Sequence, residues 1–159
     1  STGVGGGIVL NGQLLDGETG NAGHIGHVIV EPNGRRCTCG GRGCLEAEAS
    51  GPAIEAITGR SPTQPTYEIM VRTGRLVGRG VASACNLLDL KLVVVGGSVA
   101  LGFGATFFNA AQRTLDELCT IEFSRKARIV PTRLSDEGPL IGASAVGWRG
   151  LNRMATVRD

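Results

Sequence analysis

Three of the five cysteines lie within the eight-residue segment Cys37-Thr38-Cys39-Gly40-Gly41-Arg42-Gly43-Cys44, and His27 lies ten residues before the first of them. Structural zinc is held by four Cys or His side chains in a tetrahedron, and three Cys with one His is a standard set. The glycines allow the backbone to turn back without a Cβ clash. The segment therefore predicts a zinc site with the ligands His27, Cys37, Cys39 and Cys44.

Two other interpretations of the cysteine cluster are a disulfide loop and three unrelated thiols. An odd number of cysteines and an N-terminus without a signal-sequence pattern make the disulfide loop the weaker interpretation. Reduced thiols with a zinc site indicate the cytoplasm. No apolar run approaches the roughly 20 residues that a bilayer span needs, so no membrane partner is expected.

Polar side chains stand at both ends of the predicted zinc loop. His27 ends the stretch Gly23-His24-Ile25-Gly26-His27, and Glu46 follows Cys44 by two residues. A metal loop that fixes a His and a Glu at its two ends is a way to position polar groups for a ligand. We therefore expect a binding site beside the metal.

Two glycine turns are candidate nucleotide sites. The glycine-rich stretch Thr2-Gly3-Val4-Gly5-Gly6-Gly7 can bring several backbone N–H groups close to a phosphate, and the hydroxyl of Thr2 can add a hydrogen bond. Gly96 and Gly97 follow the apolar run 92–95, at the end of a predicted parallel strand, where ligands bind in open α/β sheets. By spacing alone, a hairpin turn without a ligand and a helix-entry turn are equally good interpretations.

Composition and periodicity indicate an α/β protein. Hydrophobic residues make up 42% and aromatics only 4%, while the 26 glycines suit tight turns and close packing. Asn11-Gly12 predicts a hairpin turn, and residues 27–31 read as a strand. The run 92–95 predicts a strand buried on both faces of a parallel sheet.

Helical periodicity appears in five further places, one of which is an amphipathic helix with the apolar residues Phe107, Phe108, Ala111, Leu115 and Leu118. Residues 44–50 predict a short helix, and a second helix opens at Pro52 with Ser50 as a cap and Gly59 as its stop. Apolar spacing predicts a helix over 67–88, where Gly74 and Gly78 would allow close approach of a neighbour. A final helix is expected to begin at Pro139, and residues 151–159 are expected to be a tail.

The cysteine segment and its upstream stretch resemble two motifs of the ROK family, whose name covers repressors, open reading frames and sugar kinases. The motif Cys-x-Cys-Gly-x-x-Gly-Cys-x-Glu is matched at every defined position by residues 37–46. The motif Gly-Glu-x-Gly-His is matched by residues 23–27 except at position 24, where His24 stands in place of the family's Glu.

The resemblance implies a fold and a division of the chain. It implies the α/β C-terminal lobe of an actin-like ATPase (ribonuclease H-like) fold, with a mixed sheet and helices on both faces. The lobe is expected over residues 1–150, with the zinc loop at 27–46 embedded in it. The N-terminal lobe is expected to be absent from this chain.

The resemblance also implies an ATP-dependent sugar kinase that uses ATP and Mg²⁺ and transfers a phosphoryl group to a sugar hydroxyl. The residues that it assigns to the sugar are His24, His27 and Glu46. Those that it assigns to the nucleotide are Thr2, Gly3, Gly5, Gly6, Gly96 and Gly97. The family's catalytic Asp lies upstream of the first residue, so no catalytic base is assigned. A homodimer of the longer protein is expected.

The alternative within the family is the sugar-binding domain of a transcriptional repressor. A net charge of +2 with scattered arginines predicts no basic face for nucleic acid. A nucleic-acid partner is therefore expected only if a DNA-binding module lies elsewhere in the longer protein. The turn at residues 2–7 favours the kinase, because a sugar sensor does not need a phosphate site.

Overall fold

The computed structural model describes residues 2–156, apart from the side chains of Asp136 and residues 151–156. Its strands are β1 (Val9–Leu10), β2 (Gln13–Leu14), β3 (Leu92–Val95) and β4 (Arg128–Pro131). Its helices are α1 (Leu45–Ala49), α2 (Gly51–Thr58), α3 (Tyr67–Leu88), α4 (Ser98–Leu118) and α5 (Gly138–Thr156). Short 3₁₀ turns lie at Ile25–His27 and Ser135–Glu137.

The N-terminal hairpin forms as predicted. Strands β1 and β2 pair antiparallel. Asn11 and Gly12 have φ angles of 52° and 77°. Positive φ at both central residues matches the right-handed strand twist, which is why Asn-Gly is favoured in such turns.

The predicted strand at 27–31 is wrong. His27 ends a 3₁₀ turn, and the residues after it pair with the returning end of the zinc loop rather than with a sheet. The backbone N–H of Val30 donates to the carbonyl of Gly43 at 2.9 Å, and that of Leu45 donates to the carbonyl of Val28 at 2.9 Å. The apolar residues 28–30 therefore form one wall of the predicted zinc loop instead of a strand.

Helices α3 and α4 form the centre of the structure, and glycines set their separation. A Cβ on Gly74 would collide with the carbonyl oxygen of Phe107, and one on Gly78 would lie 2.6 Å from that of Ala111. The predicted close approach at these glycines is confirmed. Leu115 and Cys85, both fully buried, lie in the core between the two helices.

Local capping signals place the remaining helix ends. The Ser50 hydroxyl accepts a hydrogen bond from the N–H of Ala53 at 3.3 Å, at the start of α2. Gly59 ends the helix with φ of 68°, a left-handed conformation that suits glycine. Thr66 caps α3 by accepting from the N–H of Ile69. Helix α4 is kinked at Gly104, which has φ of 58° and ψ of −144°.

The sheet differs from the prediction. Within the described residues, β1–β2 and the parallel pair β3–β4 form two separate two-stranded sheets rather than one mixed sheet. The side chains of Val93 and Val95 pack against the core of α3 and α4. On the opposite face, Leu92 and Val94 are 59% and 57% exposed. The expected burial of this strand on both faces, with helices on both faces, is therefore wrong for the described residues.

Helix α5 begins at Gly138, next to the predicted Pro139, and runs to Thr156. Residues 151–156, predicted as tail, are thus helical, and 157–159 lie outside the described part. Arg149 donates two hydrogen bonds to the carboxylate of Asp16, at 2.7 and 2.6 Å, and so ties the helix to the segment after β2. Among the described residues, no helix is both long and apolar enough to cross a membrane.

Candidate functional site

Four predicted metal ligands converge at the zinc loop. Ligand atoms of His27, Cys37, Cys39 and Cys44 all lie within 4.8 Å of one another. The sulfur of Cys37 is 3.7 Å from Nδ1 of His27, and the sulfurs of Cys39 and Cys44 are 3.7 Å apart. Zn–S bonds of about 2.3 Å in a tetrahedron place sulfurs ~3.8 Å apart. The donor set is therefore one that binds zinc, and the sulfurs of Cys39 and Cys44 have the spacing of a tetrahedral site.

The backbone of the loop brings these sulfurs together through two tight turns. The N–H of Gly40 donates to the carbonyl of Cys37 at 3.0 Å, and the N–H of Cys37 donates to the carbonyl of Gly41 at 2.9 Å. Gly43 has φ of 71°, and a Cβ there would collide with the carbonyl oxygen of Glu31. Only glycine fits this position, and the chain can then place Cys44 as the cap of α1.

The thiols of the cluster have unlike environments. A hydrogen bond from the backbone of Cys39, helped by the neighbouring side chains, lowers the pKa of Cys37 to about 7 against the effect of burial. Burial, reinforced by hydrogen bonds with the other two thiols, raises the pKa of Cys44 to about 12. All five cysteines are free thiols. The disulfide loop considered above is therefore not formed, and a metal binding here would displace thiol protons.

The two histidines of the upstream stretch lie against each other. Their rings are stacked, with centroids 5.5 Å apart and planes 13° from parallel. His27 is half-buried and belongs to the cluster of four candidate metal ligands, whereas His24 is exposed. The ring of His24 is thus held beside this cluster while it faces an open cleft.

Glu46 lies in the first turn of α1, two residues after Cys44. Its carboxylate oxygen Oε2 accepts a hydrogen bond from the backbone N–H of Val4 at 2.9 Å. A Cβ on Gly26 would collide with the carbonyl oxygen of Val4. The glycine turn at residues 2–7 therefore packs directly on the residues at the two ends of the zinc loop.

One cleft of about 830 Å³ joins most of the predicted ligand-binding positions. The predicted site residues that line it are Gly3, Gly5, Gly6, His24, Gly96 and Gly97. The first glycine turn forms one wall, and β3 with the turn after it forms the other. Thr2, His27 and Glu46 lie outside this lining, although Glu46 contacts the wall through Val4.

Two charged residues that were not predicted from the sequence, Glu48 and Arg72, form an ion pair beside the predicted zinc loop. Glu48 is 2% exposed, and its carboxylate contacts Arg72 of α3. Their separation of 24 residues follows no helical or strand period, so no local pattern could have paired them. The one available signal was a pair of glutamates, Glu46 and Glu48, among the apolar residues of α1, and it does not tell which of them is buried.

The chain is similar to known proteins along nearly its whole length. The profile of the ROK family matches residues 1–148. N-acetylmannosamine kinase of Haemophilus influenzae is 39% identical in an alignment that covers 91% of this chain and 51% of that protein. The chain thus spans about half the length of the curated relatives that it matches.

Solved structures of ROK proteins are also similar to this chain. A ROK hexokinase from Thermus thermophilus superposes with a TM-score of 0.76 at 32% identity, over 89% of this chain and 52% of the hexokinase. A ROK family transcriptional regulator, described as a homologue of the E. coli MLC protein, superposes with a TM-score of 0.70 at 27% identity, over 82% of this chain and 39% of the regulator. Together with the match of the family profile over residues 1–148, these similarities show that the chain belongs to the ROK family.

Proposed function

We propose that this chain is the C-terminal lobe of an ATP-dependent sugar kinase, which transfers the γ-phosphoryl group of ATP to a sugar hydroxyl. The observation that carries the proposal is the single cleft that holds both glycine turns and His24. Phosphoryl transfer depends mainly on positioning and charge stabilisation, so both substrates must meet in one place. The names of the relatives, N-acetylmannosamine kinase and hexokinase, support the same activity.

We assign the sugar to the groups at the two ends of the metal loop. His24, His27 and Glu46 lie on neighbouring segments, and two of them are joined by ring stacking. Carboxylate and imidazole groups form the hydrogen bonds that sugar hydroxyls need. These three polar side chains are therefore the ones expected to hold the acceptor sugar.

N-acetylmannosamine is the proposed substrate, after the name of the relatives. An N-acetyl group presents one carbonyl acceptor and one N–H donor. A neutral His24 likewise offers one donor and one acceptor nitrogen, whereas a Glu at this position would offer acceptors only. The exposed imidazole beside His27 therefore suits an N-acetylated sugar better than a plain hexose.

Zinc is the proposed metal, with His27, Cys37, Cys39 and Cys44 as its ligands. Bound there, it would hold the loop at 27–46 in a fixed conformation. Nδ1 of His27 is the ring nitrogen that approaches Cys37, at 3.7 Å. With Nδ1 engaged in the cluster, Nε2 carries the proton and can donate a hydrogen bond to a sugar hydroxyl.

The nucleotide is assigned to the glycine turns on the two walls of the cleft. A Cβ on Gly5 would meet open space, whereas one on Gly6 would press against the carbonyl of Gly23 and the side chain of Ile25. The turn is thus supported on one side and open on the other, where phosphates can approach its N–H groups. Thr2 and Gly3 complete this turn, and Gly96 and Gly97 are assigned to the adenosine.

Mg²⁺ is expected to enter with ATP, because it is usually held by phosphate oxygens and one or two carboxylates. No residue of this chain is assigned to it, and none is assigned as the catalytic base. The base is expected in the other half of the longer protein. A cytoplasmic location and a homodimer stay predictions.

The second candidate is the sugar-binding domain of a transcriptional regulator, which the similarity to the solved regulator supports. A regulator would use the sugar-binding groups without phosphoryl transfer. The experiment that separates the two is a kinase assay on the longer protein, with N-acetylmannosamine and glucose as acceptors and ADP release as the readout. ADP release that depends on N-acetylmannosamine supports the kinase. Sugar binding without ADP release would support the regulator instead.

A further inference from the structure

We infer that Glu48 and Arg72 are positioning residues of the metal centre, which hold the ligand-bearing loop in shape by tying both of its ends to helix α3. Neither residue belongs to the ligand set or to the cleft. The inference rests on the zinc site proposed above, and it concerns what prepares the four ligands for the metal.

The carboxylate of Glu48 is buried and both of its oxygens are used. Its side chain is 3% exposed. Oε1 accepts a hydrogen bond from the backbone N–H of Arg35 at 2.6 Å, and Oε2 forms an ion pair with Nη2 of Arg72 at 2.6 Å. Nη1 of Arg72 also donates to the backbone carbonyl of Glu48 at 2.9 Å. One carboxylate therefore joins a loop, a short helix and a core helix.

The two ends that Glu48 joins bracket the cysteines. Arg35 precedes Cys37 by two residues, and Glu48 follows Cys44 by four. Linking these ends removes conformational freedom from the loop before a metal arrives, because loop closure costs entropy. The backbone contributes to the same closure, since the N–H of Gly43 donates to the carbonyl of Arg35 at 2.8 Å.

Helix α3 supplies the fixed side of this arrangement. Leu76, one turn after Arg72, is buried against Val30 and Leu45 on either side of the metal loop. Arg79, one turn further, donates to the carbonyl of Val30 at 2.9 Å and pairs with Glu31. One face of α3 thus supports the incoming and the outgoing arm of the loop.

The geometry leaves little tolerance around the carboxylate. A Cβ on Gly34 would collide with Oε1 of Glu48. Removing Arg72 alone would leave a buried charge without its partner, which is strongly destabilising, whereas an apolar pair of similar volume is often tolerated. This difference provides variants that separate a positioning role from a role in stability alone.

The test is zinc affinity of the chain, measured by competition with a chromophoric chelator, with Co²⁺ absorption as a second readout of ligand geometry. The variants are Glu48→Gln and the double variant Glu48→Leu/Arg72→Met. Arg75→Met is the matched control, since Arg75 lies three residues after Arg72 on the same helix and is exposed. Groups that orient metal ligands typically change affinity by about 10–100-fold when they are removed.

We expect both variants to bind zinc at least tenfold more weakly and to broaden or shift the Co²⁺ spectrum, while Arg75→Met behaves as the wild type. The double variant is informative even if Glu48→Gln does not fold, because its apolar pair keeps the interior filled. A double variant with normal melting temperature and wild-type zinc affinity would overturn the inference. A wild type that binds no zinc would overturn the metal site, and the positioning role with it.

Discussion

The backbone N–H of Val4 donates a hydrogen bond to the side-chain carboxylate of Glu46 across 42 residues of sequence, with an N···O distance of 2.9 Å. Val4 belongs to the glycine turn assigned to phosphates, and Glu46 belongs to helix α1, which begins just after Cys44. The two proposed binding sites are therefore in direct contact. A ligand that orders either partner is expected to order the other.

This contact predicts that sugar and nucleotide bind cooperatively in the longer protein. Glu46→Ala should weaken the binding of a non-hydrolysable ATP analogue by about 1 kcal/mol, the usual contribution of one hydrogen bond, although Glu46 is not assigned to the nucleotide. Glu46→Gln should retain part of the effect, because its amide oxygen can still accept from Val4. Calorimetry with and without sugar measures both affinity and coupling. The exposed Glu55→Ala, on α2, is the control, and equal nucleotide affinity in all three variants would contradict the prediction.

Metal analysis of the purified chain should give close to one zinc per chain. Cys39→Ser should lower the zinc content and the melting temperature, because structural zinc contributes folding free energy of about 10 kcal/mol in small domains. Cys119→Ala, outside the cluster, should keep its zinc. A metal-free preparation that melts at the same temperature as the loaded protein would show that the cluster has another role.

His24 is expected to set the choice of sugar. In the longer protein, His24→Glu should improve glucose binding by about 1–2 kcal/mol, since a carboxylate makes stronger hydrogen bonds to hydroxyls than a neutral imidazole does. The same change should weaken the binding of N-acetylmannosamine. Calorimetry of the two proteins with a panel of sugars tests this. Tight glucose binding by the wild type, unchanged in the variant, would mean that position 24 does not face the sugar.

The contact between α3 and α4 predicts opposite effects of two similar substitutions. Gly78→Ala places a methyl group 2.6 Å from the carbonyl oxygen of Ala111, and should destabilise the fold by about 1–3 kcal/mol through overpacking. Gly102→Ala, in α4, meets no atom within 4 Å and should stabilise it by about 0.5–1 kcal/mol. Denaturant unfolding measures both. Equal effects would show that the helices are not packed as closely as described.

Cys85 predicts a loss of stability in alkaline solution. Burial, with a smaller effect of Cys119, raises the pKa of Cys85 from 9.0 to about 11. The contribution of Cys85 to the free energy of unfolding is complete below pH 9, where the thiol keeps its proton in both the folded and the unfolded state. Above pH 9 the unfolded state releases it while the folded state retains it, so stability falls as the pH rises towards 11.

The slope from this single proton is at most about 1.4 kcal/mol for each pH unit. Unfolding by denaturant between pH 8 and 11, compared for wild type and Cys85→Ala, isolates it from the titration of other groups. The free energy of unfolding of Cys85→Ala should decline less steeply with pH than that of the wild type. Parallel curves for the two proteins would mean that Cys85 titrates alike in the folded and unfolded states.

Some features of this protein were determined by the sequence alone, because the interactions that specify them are local. The hairpin at Asn11-Gly12 needs only two residues that accept positive φ. Helix α3 spans Tyr67–Leu88 as its apolar spacing predicted, and Gly59 ends α2 through its own backbone freedom. The convergence of His27, Cys37, Cys39 and Cys44 was predictable for a related reason, since three of these side chains lie within eight residues of sequence.

Other features were decided only by tertiary structure. Residues 27–31 have a strand-like pattern, yet their backbone groups pair with the end of the metal loop, and this choice depends on where Gly43 lies. The exposed face of Leu92 and Val94 depends on which elements cover the sheet, which an apolar run cannot specify. The contact of Glu48 with Arg72 joins residues 24 positions apart. Side-chain periodicity reports which residues avoid water, but the partner of a buried charge is set by how helices pack in three dimensions.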